Sequence, residues 1–199
     1  MTTSAKTRKR PATYADLEAV PPNLVAEILG GELVTHPRPR PRHGIASAAL
    51  GVELGGPFQK GGGGGPGGWI FIAEPELHFG ENVVVPDLAA WRRERLPVMP
   101  EEVGITVPPD WACEVLSPST AIHDRTIKFE IYYDFGVGHL WYLDPEYKTL
   151  EVFGRSAEHW QTLKVFGGHD EVRAEPFDAI SFSLGALWPY DPPPAAEGA

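Results

Sequence analysis

The chain reads as an α/β protein of the α+β kind, with a mixed central sheet flanked by helices. Short segments rich in Val, Ile, Trp and Phe recur between turn residues, as strands do. Two longer stretches, 43–54 and 121–135, space their apolar residues as helices do. Hydrophobic residues make up 42% and aromatics 11% of the 199 residues, including six Trp, an apolar content that a disordered chain lacks. The length suits one domain with a sizeable core, expected over 11–190 between disordered tails at 1–10 and 191–199.

Thr13 caps a short helix through Tyr14, Leu17 and Glu18, which Pro21-Pro22 ends. Residues 24–35 (LVAEILGGELVT) hold an apolar segment, a turn at Gly30-Gly31 and a second, strand-like piece. His and Arg alternating with Pro keep 36–42 extended or looped. In 43–54, Ile45, Ala49 and Val52 share one helical face. Segment 55–68 (GGPFQKGGGGGPGG) has nine Gly and two Pro and reads as a flexible loop. It is not a phosphate loop, because a helix precedes it and Trp69 follows its last Gly.

Residues 69–79 and 83–91 read as strands around a Gly80-Glu81-Asn82 hairpin turn. Four prolines make 94–110 a long loop. Residues 111–116 (WACEVL) form a short apolar strand, and Ser117–Thr120 a turn that caps a helix. The helix spans 121–135, with Ile127, Ile131 and Phe135 on one face and Gly136 near its end. Strands follow at 139–143 and 148–153. Further antiparallel strands at 158–166 and 171–177 add a C-terminal antiparallel region. No internal repeat appears.

Several classes fall away. No run of about 18 apolar residues occurs, so no membrane span is expected. The basic start (Lys6, Arg8, Lys9, Arg10) lacks an apolar segment behind it, so no secretory signal is expected, and the default compartment is the cytoplasm. The single cysteine, Cys113, excludes a disulfide framework and a Cys-based zinc site. The net charge is −10, divided as +3 over 1–42 and −13 over 43–199. A protein that coats nucleic acid nonspecifically is basic over a broad face, and this one is not. Local basic runs at Arg38–Arg42 (RPRPR) and Arg92–Arg95 (RRER) are solvated loops or phosphate contacts.

The informative residues are acids in apolar surroundings, where bare charge is costly. Asp87 lies in VVVPDLAAW and Glu114 in WACEVLSPS. Such acids are solvated at strand ends, paired with a cation, or bound to a metal. Pro86 cannot donate to a sheet ladder, so the strand is distorted beside Asp87. Asp124 and Lys128 are four apart on the following helix, and Tyr132 continues their face. That spacing suits a surface ion pair. It also suits a Lys folding back over the end of the Glu114 strand, where two acids can hold Mg²⁺ through hard oxygens and the ammonium can assist an attacking water.

These residues resemble a known family. EILGGELV at 27–34, His43, VPD at 85–87, EVLSPST at 114–120, Asp124, Lys128, Tyr132, Gly136-Val137 and WYLDP at 141–145 are similar to the Uma-two endonucleases, of the restriction-endonuclease-like PD-(D/E)XK superfamily. The likeness runs from about 13 to 188, and 114–145 is its most specific part. It implies a restriction-endonuclease-like core of helix, three-stranded meander, helix and strand, with the site at one sheet edge. It implies Asp87, Glu114 and the carbonyl of Val115 as ligands of Mg²⁺ or Mn²⁺. It makes Glu27 the acid of a first helix over 24–29, and Lys128 a stand-in for the superfamily's strand Lys, whose place Leu116 takes. His43, Asp124 and Tyr132 are substrate-contact candidates. The implied activity is cleavage of DNA by a homodimer. The alternatives are an inactive nuclease fold that binds nucleic acid or protein, and an assembly protein that dimerises through its C-terminal strands.

Overall fold

A computed structural model describes residues 10–190, and the tails expected at 1–10 and 191–199 lie outside them except for Arg10. Arg10, assigned to the first tail, instead makes a two-pronged ion pair with Asp16, 2.7 Å at each prong. Asp16 also closes the capping box of α1 (Tyr14–Glu18) with Thr13.

After α1 come β1 (Leu24–Leu29), β2 (Glu32–Pro37) and α2 (Pro41–Leu54), which continues as a π-helical turn, Gly55–Gln59. Four strands follow: β3 (Trp69–Ala73), β4 (Leu77–Phe79), β5 (Asn82–Val84) and β6 (Leu88–Arg92). β7 (Trp111–Val115) leads into a helical rod made of α3 (Ala121–His123), a π-helical turn (Asp124–Lys128) and α4 (Phe129–Asp134). The chain ends in β8 (His139–Asp144), β9 (Thr149–Arg155), β10 (Trp160–Gly167), the short pair β11 (Glu171–Val172) and β12 (Phe182–Ser183), and a 3₁₀ turn, Leu184–Leu187.

The main sheet has the order β10-β9-β8-β7-β6-β3 and is antiparallel except where β8 runs parallel to β7. A parallel step needs a crossover, and the rod supplies it. A smaller antiparallel sheet has the order β2-β1-β5-β4. Side chains alternate along β7, so Trp111, Cys113 and Val115 face one core and Ala112 and Leu116 the other. The first core is closed by α2 and by Phe177, Leu184, Leu187 and Trp188. The second is closed by the rod and the small sheet, with Leu29, Leu77, Phe79 and Ile131.

The expected core is present, but its first helix is α2. Residues 24–29 are not helical; they form β1 and pair with β2 step for step, from Leu24↔Pro37 to Leu29↔Glu32. Gly30 and Gly31 lie at φ 61° and 81°, the signs a type I′ hairpin turn requires, so the chain reverses at once. β-branched Val25, Ile28, Val34 and Thr35 suit the paired strands that result.

The helix faces also differ from expectation. α2 buries His43, Ala46, Leu50 and Leu54, whereas Val52 is 74% exposed. On the rod, Ile127 and Phe135 are 39% and 37% exposed, and Asp124, Lys128, Ile131 and Tyr132 turn inward. Hydrophobicity alone selects the wrong stripe in both helices, because a polar side chain with a partner packs as well as an apolar one.

The strands expected at 69–79 and 83–91 each break in two, after Ala73 and at Pro86. Their outer halves, β4 and β5, make the Gly80-Glu81 hairpin in the small sheet, and their inner halves, β3 and β6, pair in the main one. In 55–68 the first five residues are helical. The π turn accommodates Pro57, which has no N–H, and Phe58 is buried. The glycines beyond are tied back by Gly62 N–H to the Gly56 carbonyl and Gly67 N–H to the Pro57 carbonyl. Of 171–177 only 171–172 is strand; Ala174 and Phe177 turn into the core instead. Among the described residues, no helix is long and apolar enough to cross a membrane.

Candidate active site

The chain passes from the small sheet to the main one at Val85-Pro86-Asp87. Val85 has left the β5 ladder, so its polar groups need partners from outside it. Glu27 Oε1 accepts the Val85 N–H at 2.8 Å, and Lys128 Nζ donates to the Val85 carbonyl at 3.2 Å. Pro86 offers no N–H there. Asp87 Oδ2 then accepts the N–H of Val115 at 2.7 Å. The β6–β7 register runs from Ala90↔Trp111 to Leu88↔Cys113, so the next step brings Asp87 opposite Glu114 where the ladder stops. The two acids singled out by sequence thus meet. They do so at the ends of interior strands rather than along a sheet edge.

Lys128 gathers the other acids. Its ammonium lies 2.7 Å from Glu114 Oε1, 3.0 Å from Glu27 Oε1 and 3.6 Å from Asp124 Oδ1. Residues four apart lie on one face of a helix. Asp124 and Lys128 therefore point inward together. Tyr132, one turn beyond Lys128, donates its hydroxyl to Glu114 Oε1. Lys128, Glu114, Glu27 and Asp124 are all buried, at 2–3% exposure. Leu116 is buried in the second core.

The charges do not balance locally. Burial works against the Lys128 ammonium, but Glu114, Glu27 and Asp124 outweigh it and hold the group well above its ordinary value. Burial raises the Glu114 carboxyl far above the carboxylate range, and Lys128 does not offset it, because Asp124, Asp87 and Glu27 add to the crowding. Asp124 is raised for the same reason, chiefly burial. Glu27 behaves differently. Burial pushes it up, but Lys128, His36 and the Val85 N–H bring it down to about 2.

His43 stands across from this cluster on the first turn of α2, with Nε2 3.2 Å from Asp87 Oδ1. Burial disfavours the charged ring, but Asp87 prevails and raises its pKa. Its buried Nδ1 has no hydrogen-bond partner among the described residues. Sequence reasoning missed His36, whose Nε2 lies 3.7 Å from Glu27 Oε2. The register would have shown it: His36 pairs with Val25, two residues from Glu27 on the same face. Tyr142 was missed as well. Its hydroxyl donates to the Asp124 carbonyl at 2.5 Å and anchors the π turn to β8.

His36, His43, Asp87, Glu114, Asp124 and Lys128 line a narrow pocket of ≈50 Å³. That volume admits a water or an ion and little more. The donors around it are hard oxygens in excess over positive charge, which suits Mg²⁺ or Mn²⁺. Among the described residues, no three His, Cys, Asp or Glu side chains form a metal shell. Two carboxylates and a carbonyl would leave the other positions to water and substrate, the arrangement Mg²⁺ prefers.

Comparison with known proteins agrees with this architecture. The Uma2 family model, described as "Putative restriction endonuclease", matches residues 11–185. No curated protein matches the chain. A crystal structure described as "a putative nuclease belonging to DUF820 from Anabaena variabilis ATCC 29413" superposes with a TM-score of 0.73 at 20% identity, covering 90% of this chain and 98% of that one. The fold is restriction-endonuclease-like, with a mixed α/β core.

Proposed function

The chain belongs to the Uma2 family, and from that membership we propose that it is an endonuclease that uses a divalent cation to hydrolyse DNA phosphodiester bonds. Asp87 and Glu114, with the carbonyl of Val115, would hold Mg²⁺ or Mn²⁺. When bound, the cation supplies charge to the scissile phosphate and lowers the pKa of a water. Lys128, kept protonated by its carboxylates, acts as a donor rather than a base: it orients the attacking water and offsets charge building on the phosphate. Glu27 and Asp124 fix the Lys128 ammonium, Tyr132 fixes the Glu114 carboxylate, and His43 braces Asp87.

The observation that carries this reading is the convergence of Asp87, Glu114 and Lys128, from the sheet crossing, β7 and the rod, on one pocket, with Glu27 of β1 holding the Lys128 ammonium. The test is calorimetric titration of Mn²⁺ together with a cleavage assay. Asp87→Ala and Glu114→Ala should each abolish metal-dependent cleavage and weaken Mn²⁺ binding at least tenfold. Unchanged Mn²⁺ affinity in both variants would sink the assignment. A homodimer would present two such sites to the two strands of a duplex, and light scattering gives its mass.

One observation favours a second reading, a nuclease fold that binds nucleic acid or protein without cutting. Lys128 is already engaged by three carboxylates and a carbonyl. That reading predicts binding in EDTA and no products with Mn²⁺.

A further inference from the structure

The carboxylate pocket is too small to hold any part of a nucleotide, so the substrate must lie on what surrounds it. Beside it, across the first turn of α2, is a larger cleft of ≈370 Å³ lined by Pro41, Arg42, Ile45, Pro145, Trp188 and Tyr190. A cleft of that size falls within the range of small-ligand sites. Arg42 and His43 are adjacent, about 3.8 Å apart at Cα, so one turn of helix presents a side chain to each pocket.

The chemistry of the cleft is specific. Its walls are apolar and aromatic, and Tyr190 is 79% exposed at its mouth. Arg42 is the one charged group that lines it among the described residues. Arg10, Arg95 and Arg125 are each paired with a carboxylate, but neither Arg42 nor Arg40 meets one among the described residues. The exposed Arg42 guanidinium thus sets a positive charge beside the acidic site of a chain whose net charge is −10. An aromatic face next to a free cation is what single-stranded nucleic acid uses: the base stacks and the phosphate pairs.

We propose that this cleft holds one unpaired nucleotide of a DNA strand, next to the phosphate at the carboxylate pocket, with its base stacked on Tyr190 and its phosphate on Arg42. The inference rests on the nuclease reading and adds that the strand is unpaired at this step.

The test is fluorescence anisotropy of a labelled 16-nucleotide oligodeoxythymidine, and of a 16-base-pair duplex, with the full chain in EDTA over a range of salt. Tyr190→Ala should weaken single-strand binding about 5- to 150-fold, the range one stacked base supplies, and leave duplex binding unchanged. Tyr190→Phe should restore it. Arg42→Gln should lower the slope of log affinity against log salt by about 0.7. Wild-type affinity in Tyr190→Ala overturns the proposal, and so does a wild-type chain that does not bind the oligonucleotide. A gain in binding on deleting 191–199, with no effect of Tyr190→Ala, assigns the cleft to the chain's own terminus and overturns it too. Cleavage with Mn²⁺ is read separately. Its absence alongside the expected binding changes defeats the nuclease reading alone, and its presence without those changes defeats this inference alone.

Discussion

At Lys128 one buried ammonium satisfies groups from β1, the sheet crossing, β7 and its own helix. Removing one partner of a buried pair leaves uncompensated charge, which costs about 3–5 kcal/mol. Lys128→Met should destabilise the chain by about that much in urea unfolding, and adding Glu114→Gln should recover part of the loss. Glu27 makes a prediction in pH. A carboxyl lowered on folding stabilises above its unfolded value near 4.5 and loses that contribution as pH falls toward 2. The urea midpoint should therefore decline across that window, and Glu27→Gln should flatten the decline. Glu114 and Asp124, raised on folding, act with the opposite sign, so the flattening isolates Glu27. Asp87, Glu114 and Lys128 could be singled out in the sequence because acids among apolar residues and an i,i+4 pair are local signals. The ring of His36 and the carbonyl of Val85 could not, because their roles arise only from cross-strand register.

The elements themselves were legible where their signals were local. β7, the rod and β8 follow from apolar runs, a capping turn and Gly136. The π turns at 55–59 and 124–128 left no such mark. Over 24–29 the residue pattern left helix or strand open and the family likeness implied a helix; the tight Gly30-Gly31 turn instead lays the segment along β2 as a strand. The segment after β11 is the other surprise. Phe177 packs its ring 4.8–5.7 Å from those of Phe58, Trp69, Phe71, Trp111 and Trp141, so a stretch without regular structure seals one face of the main sheet. Phe177→Ala should cost about 3–5 kcal/mol in chemical denaturation. A loss below 1 kcal/mol would mean that the segment merely lies on the sheet.

Across the whole molecule, the acid excess lies in residues 43–199, and the acids buried at the pocket are held together under strain of like charge. A cation that binds only the folded chain relieves that crowding and shifts unfolding by mass action. Mn²⁺ at about a hundred times its Kd should stabilise the fold by about 2.7 kcal/mol, read as a rise in melting temperature by scanning calorimetry. Asp87→Ala should remove the rise. The crossing at Val85-Pro86-Asp87 has a consequence for synthesis. Glu27 arrives on the small sheet, Asp87 on the crossing, Glu114 on the main sheet and Lys128 on the rod. A chain still leaving the ribosome has no complete set until residue 128 has emerged and both layers have closed on each other. The cluster therefore exists only in molecules whose two layers have folded onto each other, and a partly made chain cannot assemble it.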